Sequence, residues 1–283
     1  MRYENPKIPE GINVTPEHPL KEFAQLVVGI GVLTVVIVAV LAWTAESIAQ
    51  RIPFETELQI ASQYRGKLPP RGPVADNLQA LADRLAVAMA LPPEMKITVH
   101  YVDDKTVNAM ATLGGHIIVF RGLLEKMPSE NALSMVLAHE IAHIRHRHPL
   151  MALGRGVVIG LALSTVAGFS GNDVTGRALG DAGLLTVLSF NRAQEAEADR
   201  TAVAALVRHY GHAAEAGTPF RIFQELAGAE GRGTMPGFLN THPTDTNRIE
   251  SIRKQAREHG WPLDGTLTPL PPVLAAVAQS PAR

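Results

Sequence analysis

His139-Glu140-Ile141-Ala142-His143 decides how this 283-residue chain is read, because a little over one helical turn there carries two imidazoles and a carboxylate. Positions four apart share a helix face, so His139 and His143 can offer nitrogens to one metal ion. Glu140, about 100° round the axis, then reaches the metal's open position. This is the pattern of a hydrolytic zinc site with Glu140 as general base. Zinc lowers the pKa of a bound water towards ~7 and polarises a scissile carbonyl. A surface helix with chance histidines would show the same five residues, so the flanks decide.

Two histidines and a water leave zinc one ligand short. A metzincin would continue with glycine and a third histidine, but those positions hold His146 and Pro149. After His143 no glutamate occurs until Glu195, in Asn191-Arg192-Ala193-Gln194-Glu195-Ala196-Glu197-Ala198-Asp199. Asn191 is a natural N-cap there, with Gln194 closing a capping box. On that helix Glu195 shares a stripe with Ala198, Asp199, Ala202 and Leu206, whereas Glu197 lies among Arg200, Thr201 and Arg208. Two carboxylates on an apolar stripe are costly to bury unless cations or donors sit beside them. A metal and its histidines meet that need. Glu195 is therefore expected as third ligand and Asp199 as the acceptor that orients a ligand imidazole. The alternative for Glu195 is an acid that complements the helix dipole, and Glu197 is expected to do only that.

Four separated motifs now stand in order. Asn108-Ala109-Met110-Ala111 precedes Gly114-Gly115-His116-Ile117-Ile118-Val119; then come His139 to His143, Glu195 to Asp199, and His242-Pro243 with Arg248. Together they resemble metallopeptidase family forty-eight, the membrane zinc endopeptidases of HtpX and CAAX prenyl endopeptidase type, across roughly half of the chain. The resemblance implies a gluzincin fold, one zinc per chain on His139, His143 and Glu195, Glu140 as catalytic base, and supporting roles for Asn108, His242 and Arg248.

Composition agrees with a membrane-linked enzyme. The formal charge is −1 and the hydrophobic fraction 46%, which points away from nucleic acid or any polyanionic partner. Cysteine is absent, excluding disulfides and thiol catalysis. No charged residue lies between Glu22 and Glu46, and residues 23–45 are long enough to cross a ~30 Å hydrocarbon core. An uncleaved anchor fits better than a signal peptide, whose apolar run is shorter and nearer the start. Lys21, Lys7 and Arg2 precede this run and Arg51 alone closely follows it, so the positive-inside rule favours a cytoplasmic N-terminus. The expected organisation is a flank (1–22), a transmembrane helix (23–45), a linker (46–74), a metalloprotease domain (75–260) and a Pro-rich tail (261–283) that lacks a motif and need not be ordered. The expected location is a single pass in a bacterial inner membrane, with the catalytic domain outside the cytoplasm.

Within the domain, Leu78, Leu81, Leu85 and Met89 mark an amphipathic helix. Ile97 to Val102 is strand-like, and residues 107–112 and 116–120 flank a Gly-Gly hairpin turn. An exposed edge there could receive an extended peptide, with Asn108, Ala109, Met110 and Ala111 as substrate-binding residues. Asn108 capping a turn is the alternative. His146 and His148 read as solvent-facing residues at the end of the active-site helix. The small apolar segment from Met151 to Phe190 reads as helices covering the cleft. His242 or Arg248 is expected to stabilise the oxyanion; His242 could instead take the fourth metal position and hold the enzyme latent. The fold class is α+β, mostly helical and zincin-like, with a small sheet beside the active-site helix. The function expected is endoproteolysis of membrane or misfolded envelope proteins, with a membrane-tethered chaperone holding a structural zinc as the alternative.

Overall fold

The computed structural model describes residues 19–63, 66, 68–167, 190–229, 237–242 and 247–279. The chain forms two compact units, Met1–Leu41 and Ala42–Arg283. The first holds most of α1 (Pro19–Ala49), whose large side chains such as Leu26, Leu33 and Val35 are exposed. Among the described residues, α1 is the one helix long and apolar enough to cross a membrane.

The second unit is built around α5 (Glu130–Arg145). Ser129 caps it, its Oγ accepting from Ala132 N at 3.1 Å, and every residue from Glu130 to Ile144 is buried. A helix buried all round needs neighbours on every side. It has α3 (Pro73–Ala88), a three-stranded sheet, α7 (Arg192–Tyr210) and α8 (Thr218–Ala229). The sheet runs β1 (Thr98–Val102), β3 (His116–Phe120), β2 (Ala109–Thr112), with β1 parallel and β2 antiparallel to the central β3. The tight turn between β2 and β3 places Gly114 at φ 75° and Gly115 at φ 79°, and a Cβ on Gly115 would lie 2.1 Å from Lys96 O. The capping box on α7 is present: Asn191 Oδ1 accepts from Gln194 N and Gln194 Oε1 from Asn191 N, both at 3.0 Å.

Three segments differ from expectation. The stretch 46–74 contains a packed helix, α2 (Phe54–Ser62), whose Glu57 is buried. Glu57 Oε2 accepts from Arg147 Nε at 2.8 Å and its Oε1 from Gly114 N at 2.8 Å, so one carboxylate ties α2 to the hairpin turn and to the loop after α5. The β2 edge is covered, not exposed. A five-residue helix, α9 (Gly237–Thr241), lies over it, Phe238 N donates to Val107 O at 3.1 Å, and Ala109 to Ala111 are buried. The third is the stretch from Trp261, which packs onto the domain: Glu130 N donates to Thr268 O at 2.9 Å, Thr268 N to Asn131 Oδ1 at 2.7 Å, and α11 (Pro272–Gln279) buries Leu274 fully. Two further helices are α4 (Arg121–Leu124) after β3 and α10 (Arg248–Glu258) after the site. α6 (His148–Ala167) follows α5, and the rest of the expected cleft cover, 168–189, lies outside the described residues, as does Pro243.

Candidate metal centre

α5 and α7 pack against each other, which sets His139 and His143 of one against the inward stripe of the other. His139 and His143 project from α5 and Glu195 from the first turn of α7, and the ligand atoms of these three and of His242 all lie within 4.8 Å of one another. His139 Nε2 is 2.9 Å from His143 Nε2 and 3.4 Å from Glu195 Oε2. His242 Nδ1 is 2.9 Å from Glu195 Oε1 and 3.3 Å from His139 Nε2. Glu195 Oε2 and His242 Nε2 are buried without a hydrogen-bond partner, and three imidazoles and a carboxylate converge on one another. Such a donor set fits a divalent cation of zinc type.

The walls are apolar. Phe190 stacks on His143 with ring centroids 3.9 Å apart, Phe238 on His242 at 4.3 Å, and the Arg248 guanidinium lies 3.9 Å over the Phe220 ring. Sequence patterns single out none of these three aromatics, since each joins the site only by tertiary packing.

Behind His139, Asp199 Oδ1 lies 3.0 Å from Nδ1, and Arg248 donates to both Asp199 oxygens, from Nε at 2.5 Å and Nη2 at 2.7 Å. Arg248 Nη1 is 3.0 Å from Glu195 Oε2, out of hydrogen-bond alignment. The guanidinium is thus engaged with two carboxylates of α7, Asp199 and Glu195. Burial would raise Asp199, but Arg248 and His139 hold it below the usual carboxylate range. Burial likewise opposes ionised Glu195, yet the His242 and His139 rings keep it well below its ordinary value. Burial and the neighbouring His139 push His143 well down, to the neutral form a ligand requires.

Glu140 is fully buried. Its Oε2 accepts from Ala111 N in β2 at 2.7 Å, while Oε1 has no hydrogen-bond partner and faces His242 Nε2 at 3.5 Å. Burial pushes this carboxyl up to about 7, against the lowering effect of His242. Asn108 is buried beside the hairpin with Oδ1 unpaired, and Met110 lies in β2 under α9, so the expected substrate strand sits next to the base but beneath a cover.

His148 overturns an expectation. It is 1% exposed, not solvent-facing, and its Nδ1 is 2.8 Å from His143 Nδ1. Glu197, expected only to complement a dipole, lies 3.3 Å from His148 Nε2 and 3.4 Å from His146 Nδ1. The cause is Arg147, whose left-handed φ of 61° ends α5 and turns the chain back. On a continued helix, five residues on would face elsewhere. Pro149, at home in the first turn of a new helix, was the available signal.

Fold and site together define a zincin-like metalloendopeptidase domain. A family model matching residues 74–256 makes the assignment particular, and the chain belongs to peptidase family M48. It is similar to the mitochondrial metalloendopeptidase OMA1 of Schizosaccharomyces pombe, 29% identical over 214 residues that cover 72% of this chain and 60% of that protein. It is also similar to the beta-barrel assembly-enhancing proteases of Yersinia pestis (30% over 201 residues, 64% of this chain and 38% of that one) and Escherichia coli K12 (26% over 223 residues, 71% and 44%). The chain spans about half the length of the curated relatives it matches.

Proposed function

We propose that this chain is a zinc-dependent endopeptidase, anchored by α1, that cleaves internal peptide bonds of membrane or misfolded envelope proteins. His139, His143 and Glu195 hold the ion, and Asp199 and Arg248 hold the ligands. The observation that carries this reading is Glu140 Oε1, which has no hydrogen-bond partner and lies beside those converging donors, 3.5 Å from His242 Nε2. A purely structural zinc site has no use for a buried carboxylate oxygen left without a hydrogen bond next to its ligands. Bound zinc supplies Lewis acidity for the carbonyl and an acidified water. Glu140 accepts the water's proton at Oε1 and returns it to the departing amine, while Ala111 N keeps Oε2 oriented. Arg248, committed to Asp199, acts as a positioning residue and not at the oxyanion. Substrate pairs with β2 once α9 has moved, and Asn108 to Ala111 then supply its backbone contacts.

Clients at a membrane are supported by the apolar α1, and a catalytic domain outside the cytoplasm by the charges flanking that helix. For His242 the geometry favours the latent role, because its Nδ1 lies within the donor cluster. The test of the whole reading is Glu140→Gln in the full chain. It should keep about one zinc per chain and lose hydrolysis of an unfolded substrate such as casein. Undiminished cleavage would sink the enzyme assignment and leave a tethered binding protein with structural zinc as the better account.

A further inference from the structure

We infer that His148 and Glu197 form a proton-ordered relay that fixes the ring orientation and tautomer of His143, making both of them positioning residues for the metal site. The inference rests on the proposal that His143 is a metal ligand. A neutral imidazole has one donor and one acceptor nitrogen. His143 turns Nε2 into the cluster, 3.4 Å from Glu195 Oε1, so the proton belongs on Nδ1 and requires an acceptor. His139 meets the same requirement directly, with Asp199 Oδ1 at 3.0 Å. For His143 the acceptor is another ring: Nδ1–H donates to His148 Nδ1 at 2.8 Å, which leaves the His148 proton on Nε2, facing Glu197 Oε2 at 3.3 Å. Only this order of protons satisfies every atom from the carboxylate to the cluster.

The two ligand imidazoles are therefore supported unequally. One leans on a buried carboxylate, the other on a buried ring backed by a half-exposed one, since Glu197 keeps 45% of its side-chain surface. The carboxylate is held from a second side, with His146 Nδ1 at 3.4 Å from Oε1 and His146 Nε2 at 2.8 Å from Thr201 Oγ1. With Phe190 stacked on its face, the His143 ring has its remaining rotation set by the bond to His148. Partners of ligand histidines typically contribute 10–100-fold in metal affinity.

The test measures zinc affinity of the full chain in detergent by competition with a chelating indicator, alongside the melting temperature of each metal-free protein. His148→Leu should weaken zinc binding about 10–100-fold, and His148→Asn, whose amide oxygen can stand where Nδ1 stood, should recover most of it. Glu197→Gln should weaken binding in the same direction by a smaller factor. Unchanged zinc affinity in His148→Leu and Glu197→Gln would overturn the inference, as would a loss confined to metal-free melting. If His148→Leu does not fold, the half-exposed Glu197→Gln and the isosteric His148→Asn decide between the same two outcomes. His143→Ala is the control beneath them. If it binds zinc like wild type, the ligand proposal fails, and that failure is distinct from failure of the relay.

Discussion

Substituting His242 separates two chemistries by the sign of a rate change. As a fourth donor it blocks the place of the reacting water, so His242→Ala should raise basal hydrolysis of an unfolded peptide. An oxyanion donor would instead show a fall in kcat of about 10²–10³ with zinc content unchanged. The contact of Nδ1 with Glu195 Oε1 at 2.9 Å makes the rise the expected outcome. Glu195→Gln should lower zinc content sharply, because a neutral amide replaces the one carboxylate in the donor set. Asp199→Asn should have a milder effect on metal and a larger one on folding. It removes half of a charged pair with Arg248, both groups being buried, and breaking such pairs costs about 3–5 kcal/mol. Urea unfolding with and without chelator reads the two effects separately.

At the scale of elements, Glu57 joins α2, the Gly114 turn and Arg147, and through Arg147 it supports the chain reversal that brings His148 back to the site. Glu57→Ala should destabilise the domain by about 3–5 kcal/mol, since it leaves a buried guanidinium without its carboxylate, with only the Ile52 carbonyl and the Phe54 ring beside it, and a buried amide unpaired. Chemical denaturation of the metal-free protein measures this. Glu57 also shows where legibility in the sequence ends. The stripes of α3 and α7, the capping box at Asn191 and the Gly-Gly hairpin were all legible, because local periodicity and turn chemistry dictate them. The pairing of β1 with β3, the burial of Glu57 and the aromatic walls from Phe190, Phe220 and Phe238 were not, because each depends on which distant segment arrives. Among the site residues, the spacing in α5 and α7 was readable from side-chain faces. The inward turn of His148 required knowing that Arg147 breaks the helix.

For the whole molecule, the segment after Trp261 belongs to the fold. Leu274 is fully buried against the main core, so Leu274→Ala should cost about 2–5 kcal/mol and lower the thermal midpoint of the complete domain. A reporter fused after Arg283 should be active only outside the cytoplasm, and a cytoplasmic signal would reverse the proposed orientation while leaving the chemistry intact. One further consequence follows from α9, which lies over the β2 edge and carries His242 at its end. On the proposed reading, a peptide that pairs with β2 would displace the same five residues that hold the imidazole in place, which would make binding and activation one equilibrium. If α9 stands away in about one molecule in a hundred, every substrate binds about 100-fold more weakly than to the open form. Under the proposed activity, a sparse bystander would then seldom find the site, whereas a client that accumulates at the membrane would, and local abundance itself would select what is cut.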